Sequence, residues 1–307
     1  MHGQAKQHFM LQSSMVVTSS TGQVKRVKNK LTSSRESGSP IFVRDRLALI
    51  ISLSLVCSAI VAWIATYYLI PLTMMMTPPE SAGMLSGVVS VVSSPSLTSI
   101  TIFETVWIIG MIAMMFPAMI PIVLFYNRIV IKQESSGRIS RATGTPLFLG
   151  GYLIVYALLG ILLFLAISIL VGAFGNFPIF ARFSILASSA LLAFAGVYQF
   201  TSLKRACLSK CVSPIGFFAL HYTSGALGAM KMGLRHGMYC VGCCWAFMLV
   251  MLAVGAMSIP VMAALAATIA LEKILVKGTP LFNGLLGSCF IALGIGVLIF
   301  PKLLMML

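Results

Sequence analysis

The sequence predicts an all-α, polytopic transmembrane helix bundle of about seven spans with a cytoplasmic N-terminus. Three observations carry this reading. Of the 307 residues, 59% are hydrophobic and 9% charged, with a mean hydropathy of +1.02, which leaves too little polar surface for a globule in water. Apolar runs close to or above the ~20 residues that cross a bilayer recur along the chain. The 21 Lys and Arg, set against 6 Asp and Glu, fall almost wholly on one side once those runs are read as spans. A chain this apolar gathers its charge in short loops and tails, so nucleic acid does not account for the basic balance.

Residues 1–46 are rich in Ser, Lys and Arg and read as a disordered basic cytoplasmic tail, because this composition buries too little apolar surface to offset ordering entropy. Residues 47–307 form the transmembrane bundle. Its first apolar run starts at Leu47 and continues for about 24 residues, past the length of a signal-peptide core, and so is a retained anchor. Six more runs fall at residues 105–127, 147–170, 183–202, 238–256, 259–276 and 281–300, each suited to a tilted span. The sixth span carries Glu272 and Lys273 near its inner end, and Ile215 to Met230 is a candidate re-entrant segment.

Basic residues test the count, since each added span inverts every later loop. With the N-terminus inside, the tail holds eight Lys or Arg, the loop after the second span four, and the loop after the fourth span five (Lys204, Arg205, Lys210, Lys231 and Arg235). Lys273 and Lys277 join them, and only Arg182 and Lys302 remain outside. The expected location is the cell membrane, multi-pass, with the lipid bilayer as partner and the basic loops cytoplasmic.

Several functions drop out. The seventh span has no Lys for a retinal Schiff base. The acids near a span, Glu104 and Glu272, sit at helix ends rather than at the mid-membrane depth typical of ion coupling. No phosphate-binding loop, dinucleotide fingerprint or common hydrolase motif occurs. No catalytic residue is indicated, and the chain reads as more probably non-enzymatic.

Five of the seven cysteines crowd between Cys207 and Cys244, and an odd count cannot pair completely. At ~100° per residue, His236, Cys240, Cys243 and Cys244 share one arc of roughly 100° on a helix, and Met248 and Met251 continue it. Imidazole, thiolates and thioethers at this density suit a soft transition metal, Cu(I) over Zn(II). Cys207 and Cys211, four residues apart and beside Lys204, Arg205 and Lys210, are a second pair on the same cytoplasmic side, where basic neighbours favour thiolate. Ligand counting joins the two segments: one helix face aims two or three sulfurs at one ion, so another segment must contribute. Cys57 and Cys289, alone in their spans, read as packing residues.

The second span holds a Met stripe. Met111, Met114 and Met115 are candidate ligands, with Met119 and Glu104 along the same side. Pro117 and Pro121 remove helical N–H donors there and can expose carbonyls. Met is also the usual filler of irregular helix contacts, and Met74, Met75 and Met76 are either an external soft-metal contact or interfacial residues.

Trp107 through Pro117, Gln199 through Pro214 with Lys204, Cys207 and Cys211, His236 through Met248, Gly255, Met257 and Glu272-Lys273 together resemble the family described as predicted metal-binding integral membrane proteins, a bacterial and archaeal domain of unknown function. The likeness covers most of residues 100–275, and the Cys-x-Gly-Cys-Cys-Trp core is its most specific part. The chain departs from the pattern with Gly110 in place of a usual Met and Ser258 in place of a usual Asn. The resemblance implies a metal-binding membrane protein without a settled activity. The expected function is binding of a soft transition metal, copper first, for handling, transport or delivery to a partner. Two alternatives stay open: a membrane thiol redox protein, and a noncatalytic subunit of a membrane complex with a structural zinc-type site.

Overall fold

The computed structural model describes residues 41–75, 96–133, 138–174, 180–254, 259–276 and 278–300. Most of the tail and Met76 lie outside these residues, whereas residues 41–46 already belong to the first helix. The described residues are helical with no strand among them. The helices are α1 (Ile41–Met75), α2 (Leu97–Gln133), α3 (Arg138–Phe174), α4 (Phe180–Gln199), α5 (Ser202–Val212), α6 (Pro214–His221), α7 (Gly225–Val254), α8 (Ile259–Ala270) and α9 (Pro280–Ile299). A five-residue π-helical turn, Leu271–Leu275, continues α8.

Helices α1, α2, α3, α7 and α9 are long and apolar enough to cross a membrane, and α4 with α5 makes a sixth if a 66° bend is allowed within one span. Among the described residues the count by length and composition is therefore five or six, against the seven expected. The expected sixth span is 12 residues of α8 plus the π turn, about 25 Å at 1.5 Å per residue against ~30 Å of hydrocarbon. The chain nonetheless returns toward α5 through it, because a Cβ on Gly278, just before α9, would touch Leu208 of α5 at 2.6 Å. The fifth run also begins at Gly225 rather than 238, which puts His236 and the cysteines near the middle of a long helix instead of at its edge.

Local chemistry explains the breaks. Thr201 adopts an extended backbone and its hydroxyl accepts from the Lys204 N–H, starting α5 in a new direction. Ser213 ends α5, caps α6 through Gly216 N–H, and precedes Pro214 at the first turn. Pro117 and Pro121 lie inside an unbroken α2.

The bundle is held by close helix approach. α3 lies along α7, α9 along α4, α1 along α2, and α5 crosses α7. A Cβ on Gly233 of α7 would overlap the Phe148 carbonyl oxygen of α3, and one on Gly151 of α3 would overlap the Met230 carbonyl oxygen of α7. Glycine on both sides thus lets the two backbones touch, since no Cβ stands between them. Leu49, Leu53, Val61 and Ile64 on α1 and Leu158, Leu162 and Ile169 on α3 face outward, an apolar exterior larger than water-soluble proteins show. The core is one connected cluster that includes the Met stripe of α2 and the cysteines of α7.

Candidate metal centre

The arc expected on α7 is buried as a unit. His236 is 2% exposed, Cys240, Cys243 and Cys244 are fully buried, and Met248 and Met251 are also enclosed. α5 crosses this helix and adds Cys211 from the side, so that the Cys243 Sγ to Cys211 Sγ distance is 3.7 Å. The sulfur atoms of Cys211, Cys240 and Cys243 lie mutually within 4.8 Å. A metal ~2.3 Å from each of three sulfurs would space them about 4 Å apart, so this trio has the right size to share one ion. None of the seven cysteines is in a disulfide.

The other candidates are arranged differently. Cys244 Sγ touches Cys243 Sγ at 3.3 Å but is not one of the three mutually close sulfurs. Cys207 is turned against the α7 backbone, where a Cβ on Gly242 would meet its Sγ at 2.7 Å. His236 stacks near Phe148 and Tyr152 and meets Phe217 edge-on, outside the sulfur trio, with its Nδ1 unpartnered. Met248 continues the buried face of α7. Met111, Met114, Met115 and Met119 are buried on α2, which packs mainly on α1, α3 and α8 and also touches α6 and the π turn. The Met stripe and the cysteine face therefore belong to one core, with α3 and α8 each packing on both α2 and α7.

Cys240 has partners that spacing along α7 could not reveal. Its sulfur is contacted by the Tyr152 hydroxyl at 3.2 Å, accepts from the Tyr156 hydroxyl at 3.2 Å, and accepts from Lys273 Nζ at 2.8 Å. Such a set of donors around one sulfur matches a thiolate rather than a thiol. Tyr152 and Tyr156 are four residues apart on α3, a spacing that predicts a shared face. Trp107 is held in the same region, its indole N–H donating to the Tyr156 carbonyl at 2.9 Å.

Lys273 reaches the site because of the π turn. On a regular helix, adjacent residues point about 100° apart; the extra residue of a π turn, a feature often found at functional sites, accompanies burial of both Glu272 and Lys273. Lys273 meets Cys240, while Glu272 Oε1 lies 2.6 Å from Lys204 Nζ with both side chains fully buried. Lys204 also donates to Gln199 Oε1 and sits 4.7 Å from the centre of the Phe247 ring. The sequence places Lys204 in a cytoplasmic loop and Lys273 at the inner end of the sixth span; the structure makes both of them internal charges. Their signal was an acid next to a lysine inside an apolar run, since an isolated buried charge needs a partner.

Between α6 and α7, His221 is partly buried, its Nδ1 3.0 Å from Arg235 Nη1 and its ring stacked on Tyr239. Burial, followed by the charges of Arg235 and Lys210, holds the His221 imidazole below its usual pKa, so it is neutral near pH 7.

Residues 104–297 match the family described as PpoB2, copper chaperone. The match spans well over half of the chain, and the chain belongs to that family. Comparison with curated proteins and with solved structures finds no match.

Proposed function

We propose that this protein is a polytopic membrane copper chaperone that carries Cu(I) as cargo on Cys211, Cys240 and Cys243 and passes it to a partner. The observation that carries the reading is the buried sulfur trio with Lys273 Nζ 2.8 Å from one member. Membership of a copper chaperone family supports copper as the metal and transfer as the role. The ligand chemistry agrees. Structural zinc closes with four ligands, whereas three mutually close sulfurs are enough for Cu(I), a soft ion that thiolates select.

Charge agrees as well. A buried centre is costly unless its charges balance. Cu(I), the Cys240 thiolate, one further thiolate and the Lys273 ammonium sum to zero, with the third cysteine free to join as thiol or thiolate. The apolar exterior of α1 and α3 supports placement in a bilayer, and the basic residues after α4 support a cytoplasmic face for the α5–α6–α7 loops.

The test is copper content and Cu(I) affinity of the full chain purified in detergent, compared with Cys211→Ser, Cys240→Ser and Cys243→Ser together. Copper binding by the parent and its loss in the folded triple variant are expected. Copper retained undiminished by the triple variant, or zinc bound by the parent in preference to Cu(I), overturns the proposal.

A further inference from the structure

His236 stands one turn before Cys240 on α7, buried, with Nδ1 unpartnered. A ring contact with Phe217 links it to a less buried residue. Phe217 of α6 is fully buried and meets His236 edge-on at 5.3 Å between centroids, and it also meets the partly exposed His221 at 5.4 Å. The order from outside inward is His221, Phe217, His236, Cys240.

The charges at the outer end select the form in which a metal arrives. Arg235 contacts His221, and Lys210 acts on it electrostatically; two cations repel a free metal ion. The same pair attracts copper carried as an anion, such as Cu(I) held by two thiolates with net charge −1. Arginine only donates, so His221 accepts from Arg235 at Nδ1, and that lone pair is reserved until the guanidinium turns to another acceptor. An anionic carrier supplies one.

We propose that the α5–α6–α7 mouth around His221 receives Cu(I) from an anionic bis-thiolate carrier, and that the metal passes by His236 to Cys240 with Phe217 as the gate. This rests on the copper reading above. The carrier draws Arg235 off His221 Nδ1, which takes the metal. At each step a bond from copper to the outgoing ligand breaks as a bond to the incoming nitrogen or sulfur forms. Copper stays monovalent throughout. Of the two carrier thiolates released, one takes up the proton that Cys211 or Cys243 gives up on binding, and the other leaves as thiolate or is protonated by solvent, because Cys240 is already a thiolate.

The experiment follows copper loading of the detergent-solubilised full chain from two probes, the Cu(I)–glutathione complex and Cu(I)–acetonitrile. His221→Gln and Arg235→Gln are expected to slow loading from Cu(I)–glutathione about tenfold, within the range of electrostatic steering, and to leave the final copper content unchanged. Arg235→Gln is expected not to slow loading from Cu(I)–acetonitrile. Phe217→Leu, a smaller apolar residue that keeps the helix packed, is expected to speed loading from both. Parental rates in His221→Gln and Arg235→Gln with copper still bound overturn the route alone; no copper uptake by the parent from either probe overturns the copper reading and the route with it.

Discussion

Lys273 Nζ lies 2.8 Å from Cys240 Sγ, although the two residues come from different helical segments and Lys273 was expected at the cytoplasmic end of its span. A cation buried on a sulfur favours the thiolate and offsets the negative charge that thiolate ligands bring into a low-dielectric interior. Lys273 thereby acts as a positioning residue for the centre, without competing for the metal as long as it stays protonated.

Lys273→Met is therefore expected to reduce Cu(I) affinity by about 10- to 100-fold, the usual effect of removing an outer partner of a metal ligand. Competition against a chromophoric Cu(I) chelator measures it. An affinity equal to that of the parent protein would show that Lys273 does not tune the centre, and Lys273→Arg should recover part of the loss if charge is what matters.

The two cysteines of α5 should separate cleanly. Cys211→Ser is expected to lower Cu(I) affinity, because its sulfur lies with those of Cys240 and Cys243. Cys207→Ser should leave it within about twofold, well under the tenfold worth 1.4 kcal/mol, because Cys207 faces Gly242. The reverse ranking in the same chelator titration would reassign the third ligand.

The Lys204–Glu272 pair is fully enclosed. Lys204→Met alone should destabilise the fold by about 3–5 kcal/mol, since it strands a buried carboxylate. Lys204→Met with Glu272→Leu should regain most of that loss, because replacing both partners with apolar groups removes the desolvation cost. Unfolding midpoints in detergent, read for the two single variants and the double, give the coupling; additive losses would mean the pair is not a unit.

Gly233→Ala places a methyl group against the Phe148 carbonyl of α3. Overpacking of about 1–3 kcal/mol or more is expected, seen as a lower unfolding midpoint and reduced monodisperse yield. Gly172, whose added Cβ meets nothing within 4 Å, is the control, and Gly172→Ala should be neutral. Equal behaviour of the two variants contradicts the close approach of α3 and α7.

For topology, reporter fusions are expected to place the N-terminal tail and the segment around Met230 in the cytoplasm and the C-terminus outside. The last of these is the informative one, because α8 and its π turn are short yet return the chain to α5 before α9 begins. A cytoplasmic C-terminus would mean that α8 does not complete a crossing.

Helicity, an apolar exterior and the soft-ligand face of α7 were legible in the sequence because each depends on composition or on a local period. His236, Cys240, Cys243 and Cys244 share a face by helix geometry alone, and the need for sulfur from a second segment followed from ligand number. The choice of Cys211 over Cys207 was not legible. Both have the same residue type and neighbours, and only the angle at which α5 crosses α7 turns one sulfur inward and the other onto Gly242.

The expected seventh crossing is not matched by length and composition, for a related reason. Hydropathy registers apolar length but not whether a short helix ends in a π turn whose charges are paired inside the bundle, and Glu272 and Lys273, at the end of an apolar run, are buried in the bundle rather than exposed at its edge. The sequence by itself determined which residues could ligate a soft metal and that the chain would be a helical, apolar bundle. The tertiary structure decided which sulfurs converge, and which lysine and tyrosines surround them, because the contacts that join Cys243 to Cys211 and Cys240 to Lys273, Tyr156 and Tyr152 span 32 to 88 positions. Such distances are set by helix crossing and backbone approach, and no local period encodes them.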